Sequence, residues 1–228
     1  MFRHMQSNCK KFSLAGALLS LVVGLSACAG DDHDDHDDHD DHDDHGHDEN
    51  EVISQVELSF TPDGGGDALV FSFEDPDGDG GMSGSAERIE LAAGTSYTLS
   101  IRFVNGLADP AEDITEEVAE EAEDHFVFIV GDVSGPASMP AAALLTHAYA
   151  DLESDYGDNA VGDDLPVGLS NTITADTAGM GEFRVLLRHL PDVNDVPQKS
   201  ADLPQMLADG ESLPGSVDVD VTFELLVQ

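Results

Sequence analysis

From residue 51 onward, apolar and polar positions alternate with a period of two, the pattern of strands that set one face against a core. Val52, Ser54, Val56, Leu58 and Phe60 share one face, and Leu69, Phe71 and Phe73 share the next. Ile89 and Leu91, then Tyr97, Leu99, Ile101 and Phe103, continue the pattern. Phe126, Phe128 and Val130 alternate with Val127 and Ile129, so this strand is apolar on both faces. Phe183, Val185 and Leu187 alternate with Arg184 and Arg188. Val217, Val219, Val221, Phe223, Leu225 and Val227 close the chain against Asp218, Asp220, Thr222 and Glu224. Turn residues separate the runs at 62–66, 75–81 and 93–94.

One helix interrupts the strands, predicted from about Pro110 to Asp124. Asp113 and Glu116 have the spacing of a capping pair, and Ile114, Val118 and Ala122 make a narrow apolar stripe. Glu121, Glu123 and Asp124 crowd the helix end, where the dipole is negative, so a cation there would relieve repulsion. Residues 191–215 hold Pro191, Pro197, Pro204 and Pro214 with little periodicity and read as a long loop. About eight strands with one short acidic helix predict an all-β fold: a single antiparallel immunoglobulin-like β-sandwich over residues 51–228.

The amino-terminal pattern is different. Arg3, Lys10 and Lys11 precede an uncharged apolar run from Phe12 to Ala27, 16 residues long. A membrane span needs roughly 20 residues, so the layout predicts a secretory signal over residues 1–27. The run ends in Leu25-Ser26-Ala27-Cys28, which resembles the lipobox of bacterial lipoproteins. That resemblance implies lipidation of Cys28 and anchoring to the membrane through several acyl chains. Cys9 is the only other cysteine and would leave with the signal, so no disulfide is expected.

Charge narrows the partners. Asp and Glu number 48 against 8 Lys and Arg, a formal net charge of −40. Nucleic acid and anionic surfaces would repel such a chain, while cations would be drawn to it. An acidic surface with almost no lysine is also a habit of proteins that work in high salt, so the charge of the body is not by itself a metal site.

Between the lipobox and the strands, residues 28–50 form a tether. Asp-Asp-His repeats five times over 31–45 and is followed by Gly46-His47-Asp48. The repeat tract has no apolar residue to bury and is expected to be disordered. His33, His36, His39, His42, His45 and His47 offer imidazoles to a divalent metal, Zn²⁺ above all, with carboxylates beside them. In an extended three-residue-per-turn helix they would stand about 9 Å apart, so chelation requires the chain to fold back. Binding should weaken as pH falls below about 6.5, where protons compete for imidazole. The alternative is a solvated acidic spacer.

Two further candidates lie in the strand region. His125 follows Glu121 by four residues, a spacing that brings two ligands to one face, and His189 continues the core-face parity of Phe183, Val185 and Leu187. If helix end and strand end meet, Glu121, His125 and His189 form a metal site. Otherwise His125 caps the helix and His189 is a rim histidine bonded to backbone. Asp75, Asp77 and Asp79 follow the first half of a calcium loop. The twelfth position is Ala86, with Glu87 one place late, so an acidic turn is the competing reading. No nucleophile–base arrangement, zinc-protease helix motif, phosphate loop or dinucleotide fingerprint occurs, and no enzymatic activity is expected.

Several stretches carry a resemblance. Thr61 to Gly81, Pro110 to Val118 running on to Glu123-Asp124-His125, Pro166-Val167-Gly168-Leu169, and Leu187-Arg188-His189-Leu190-Pro191 are similar to small Bacteroidetes-type envelope lipoproteins often labelled type 1 periplasmic-binding domain proteins. The resemblance implies an envelope lipoprotein accessory to TonB-dependent outer-membrane transport. Ala29-Gly30-Asp31-Asp32 resembles the export signal of surface lipoproteins of that group and implies an outer-membrane location, surface-facing in preference to periplasmic. With the histidine tract, the expected function is metal binding beside an outer-membrane receptor. An adhesion or scaffold module on an acidic spacer is the rival, and a small-ligand binder ranks below both.

Overall fold

The computed structural model describes residues 52–78, 84–157 and 162–228. Among these the strands are β1 (Gln55–Pro62), β2 (Leu69–Glu74), β3 (Ser85–Ala86), β4 (Ile89–Leu91), β5 (Thr95–Asn105), β6 (Glu112–Asp113), β7 (His125–Gly131), β8 (Val133–Ser134), β9 (Leu145–Tyr149), β10 (Ser170–Ala175), β11 (Gly179–His189) and β12 (Ser216–Val227). The helices are α1 (Ile114–Glu120) and α2 (Leu203–Ala208), with a single 3₁₀ turn at Glu153–Asp155. None of the helices is long and apolar enough to cross a membrane.

The strands form two sheets. One runs β3-β2-β1-β5-β10-β9-β8, with β6 added to β5; the other runs β4-β12-β11-β7. Alternation explains their inner faces: Val56, Leu58 and Phe60 of β1 and Leu99, Ile101 and Phe103 of β5 join one cluster with Phe183, Val185 and Leu187 of β11 and Val221, Phe223 and Leu225 of β12. Phe60 meets Phe183 edge to face across that cluster, with centroids 5.9 Å apart.

The expected all-β class holds, with four corrections. The pairings are not all antiparallel: β4 runs parallel to β12, and β8 parallel to β9. The helix spans seven residues, Ile114–Glu120, not 110–124. Asp113 does cap it, accepting from the Thr115 amide, and Ile114, Val118 and Ala122 are buried as the stripe requires. The segment 191–215 is not a plain loop, because it contains α2, with Pro204 in its first turn, where a missing N–H is harmless. Val217 is exposed, although it continues the alternation of β12. The register shifts beside Leu187 and Arg188, so Val219 faces Leu187 and Val217 faces Arg188; the bulge turns Val217 outward.

The chain of β7 is apolar on both faces for a structural reason. Val127 and Ile129 enter the core between the sheets. Phe126 and Phe128 form a second cluster with Leu186, Leu190 and Leu203, so α2 and its flanks cover the outer face of β7 and β11.

Candidate metal site

The site forms where three elements end. Glu121 is the carboxy-terminal cap of α1, and its amide still bonds to the Glu117 carbonyl. A tight turn follows, closed by the Asp124 amide on the Glu121 carbonyl at 2.9 Å. The chain then enters β7 at His125. β11 runs antiparallel to β7 in a register that pairs Phe183 with Gly131 and, at the other end, His189 with His125. The two imidazoles are therefore cross-strand neighbours and stack, with centroids 4.8 Å apart and planes 9° apart.

The hydrogen bonding of His125 decides its chemistry. Its Nδ1 lies 3.1 Å from the Glu121 carbonyl, which at the helix end also accepts from the Asp124 amide. A carbonyl only accepts, so Nδ1 carries the proton and Nε2 keeps its lone pair. That Nε2 is buried and has no hydrogen-bond partner. Burial pushes the His125 pKa down to about 4; the bond to Glu121 works the other way, and His189 and Lys199 lower it further. The ring is neutral at physiological pH, the state a metal requires. Nδ1–H donated to backbone carbonyl with Nε2 left free is also the arrangement that orients ligating histidines in metalloproteins.

Glu121, His125 and His189 each present a ligand atom within 4.8 Å of the others, the one such group of His, Cys, Asp or Glu among the described residues. Two ligands on a tetrahedral ion with bonds near 2.1 Å stand about 3.4 Å apart, so the side chains would have to close inward, and the stacked rings turn, to share an ion. His125 is fully buried, while Glu121 and His189 are half-buried, which leaves the site open on one side. A cavity of about 230 Å³ lined by Glu121, Glu123 and Asp124 adjoins it, and another of about 240 Å³, lined by Glu123, Asp124, Asp163, Asp192 and Lys199, opens on the same turn. Burial and the charge of Asp192 raise the Asp124 pKa above the usual carboxylate range, while His189 lowers it. The field at the approach favours cations.

The other predicted residues fare differently. Cys28, the histidines His33, His36, His39, His42, His45 and His47, and Asp79 lie outside the described residues. Asp75 is buried and Asp77 exposed, at the turn that ends β2. The Glu87 carboxylate is taken by Ser72, accepting from its amide at 2.9 Å, so it does not complete a calcium loop. Strands flank this turn, not helices.

Three buried polar groups escaped the pattern reading. Lys199 pairs with Glu153 at 2.7 Å, with both side chains nearly inaccessible. Lys199 also donates to the Ala122 carbonyl at 2.7 Å and so supplies the cation that the acidic helix end calls for. Asp151 accepts from the Gly168 and Ser170 amides, both at 2.9 Å, and from the Tyr156 hydroxyl at 2.8 Å, fixing the entry to β10. The available signal was scarcity, since Lys199 is the only lysine after Lys11. Comparison with protein-family models, with curated proteins and with solved structures gives no match, so the reading of the site rests on its own residues.

Proposed function

We propose that this chain is a lipid-anchored envelope protein that binds a divalent transition metal, Zn²⁺ in preference. The observation that carries the reading is the buried, unpartnered Nε2 of His125, on a ring that stacks on His189 and lies in one cluster with Glu121. Two imidazoles and one carboxylate make a donor set for Zn²⁺ or a neighbouring first-row ion, with a fourth position left for water or a further donor. The Asp-Asp-His tract adds exchanging sites of lower affinity, and Cys28 places both at the outer membrane beside a TonB-dependent receptor. For the architecture we infer an immunoglobulin-like sandwich, supported by two mainly antiparallel sheets that share one core.

Zinc calorimetry tests the reading on the mature chain and on the same chain lacking residues 31–47. The intact protein is expected to bind at least one Zn²⁺ with Kd below about 100 μM near neutral pH, equivalent to about 5.5 kcal/mol. Binding that survives the deletion and disappears in His125→Ala locates a site in the folded region. Absence of any such binding overturns the metal reading and leaves the adhesion or scaffold module.

A further inference from the structure

Beyond residue 28 the chain has five basic residues: Arg88, Arg102, Arg184, Arg188 and Lys199. The first three arginines make exposed or half-exposed ion pairs with Glu90, Asp113 and Asp220. Arg188 donates to the Leu213 and Pro214 carbonyls, and Lys199 makes the one ion pair buried on both sides among the described residues. Its side chain is 2% exposed, and that of Glu153 is 3% exposed. The ammonium bonds Glu153 and the Ala122 carbonyl and sits 5.1 Å from the centre of the Phe126 ring. The second Glu153 oxygen accepts from the Leu165 amide at 3.1 Å. One ammonium thus joins the 191–202 segment, the 3₁₀ turn, the end of α1 and the start of β7.

Such a pair is a poor way to gain stability. Removing two charges from water costs several kcal/mol per ion, and an apolar pair of equal volume often holds a fold as well or better. What the pair does provide is fixed geometry, and its place says for what. Ala122 follows Glu121 and Phe126 follows His125, so two of the residues that Lys199 touches each stand directly after one of the three ligands. α1 has seven residues and no basic side chain in its last turn. A helix that short is marginal alone and frays at its ends. Fraying would withdraw the Glu121 carbonyl from His125 Nδ1 and free the ring to turn.

Resting on the metal reading above, we infer that Lys199, locked to Glu153, is a positioning residue of the Glu121–His125–His189 site: it holds the 121–125 turn so that the ligands converge, and metal binding and the lock strengthen each other.

The test uses the full-length chain with all six tract histidines changed to asparagine, so that the ordered site is read alone. The double variant Lys199→Met, Glu153→Gln removes both charges without leaving one unpaired. Its Zn²⁺ affinity is expected to fall about tenfold or more, the usual cost of losing a group that orients a ligand. Its melting temperature in chelator should shift by only a few degrees. A purely structural pair would move the melting temperature and leave Kd alone; an unchanged Kd overturns the inference. Failure of the parent chain to bind Zn²⁺ overturns the ordered Glu121–His125–His189 site on which the inference rests, a distinct outcome. Should the double variant not fold, reciprocity supplies a second measurement on the parent. One equivalent of Zn²⁺ should slow hydrogen exchange at the Leu165 amide, and should not do so in His125→Ala. Exchange that ignores Zn²⁺ in the parent also overturns the inference.

Discussion

His125 opens β7 and His147 sits in the middle of β9, and both are buried, at 0% and 4% exposure. Each has one ring nitrogen hydrogen-bonded and the other without a partner. For His147 the satisfied nitrogen is Nε2, 2.9 Å from Asn171 Oδ1. Asn171 donates its own amide to the Gly168 carbonyl at 2.7 Å, so its oxygen must accept and His147 Nδ1 holds the lone pair. The two rings are therefore chemical equals: neutral, tautomerically fixed, each with an orphan acceptor. What differs is the company. His147 Nδ1 lies against the backbone of Gly135, where a Cβ would come within 2.9 Å, and its ring meets Tyr149 edge-on at 4.7 Å. His125 faces a second imidazole and a carboxylate. An orphan nitrogen alone marks a cost of packing; an orphan nitrogen clustered with further ligand groups marks a candidate site.

The largest effect expected is shared by both rings, and concerns protons. In chelator, the folded His125 pKa near 4 lies below the unfolded value near 6.5. Between those values the unfolded chain takes up a proton that the folded chain refuses. Stability is thus full above about pH 6.5 and falls as pH drops toward 4, by up to roughly 3 kcal/mol at 1.36 kcal/mol per unit. The His147 pKa is also lowered by burial, against the pull of its bond to Asn171, and adds in the same direction. Asp124 and Asp218 are raised by burial and oppose the trend at the acid end. Urea unfolding at about pH 7 and pH 5 should therefore differ by about 2 kcal/mol, with part of the slope removed in His125→Ala and part in His147→Ala. A slope untouched by either change would mean that neither ring is held neutral.

Metal separates the two rings. At a free Zn²⁺ concentration one hundred times Kd, a site present only in the folded state stabilises by about 2.7 kcal/mol. With the tract histidines replaced, thermal unfolding should show that gain in the parent and in His147→Ala, and none in His125→Ala or His189→Ala. Loss of the gain in His147→Ala would erase the distinction.

How much of this was legible beforehand follows the kind of residue that faces inward. β1, β5, β7, β11 and β12 carry Val, Leu, Ile and Phe at alternate positions, and the alternation predicts them. β9 and β10 escape it because His147 and Asn171 occupy inward positions in Leu-Thr-His-Ala-Tyr and Ser-Asn-Thr-Ile-Thr-Ala. Buried polar groups satisfied by one another leave no hydrophobic trace. The stripe of α1 and the parity of β11 were enough to bring Glu121, His125 and His189 into one conditional site, but the meeting itself depends on the β7–β11 register. The Lys199–Glu153 pair spans two unpatterned segments and had no local signal at all.

Asn171→Ala probes the histidine without ligands. It strips the acceptor from His147 Nε2–H in a buried setting, at a cost of about 1–3 kcal/mol, and should leave Zn²⁺ affinity within about twofold. Parallel melting and calorimetry on the one variant check both halves, and a tenfold change in affinity would tie the two neighbourhoods together.

The smallest expected effect is the most discriminating. His189 is half-buried, and its ring stacks on His125. Without metal, His189→Ala removes little beyond that stacking and should cost under about 1 kcal/mol, near the range of ordinary surface changes. With metal, the same substitution removes a ligand and the whole of the Zn²⁺-dependent gain. A residue that matters little to the fold and decisively to the ion is there for the ion. Should His189→Ala in chelator instead cost 2 kcal/mol or more, its stacking would be structural, and the His125–His189 pair would resemble the His147 neighbourhood more than a metal site.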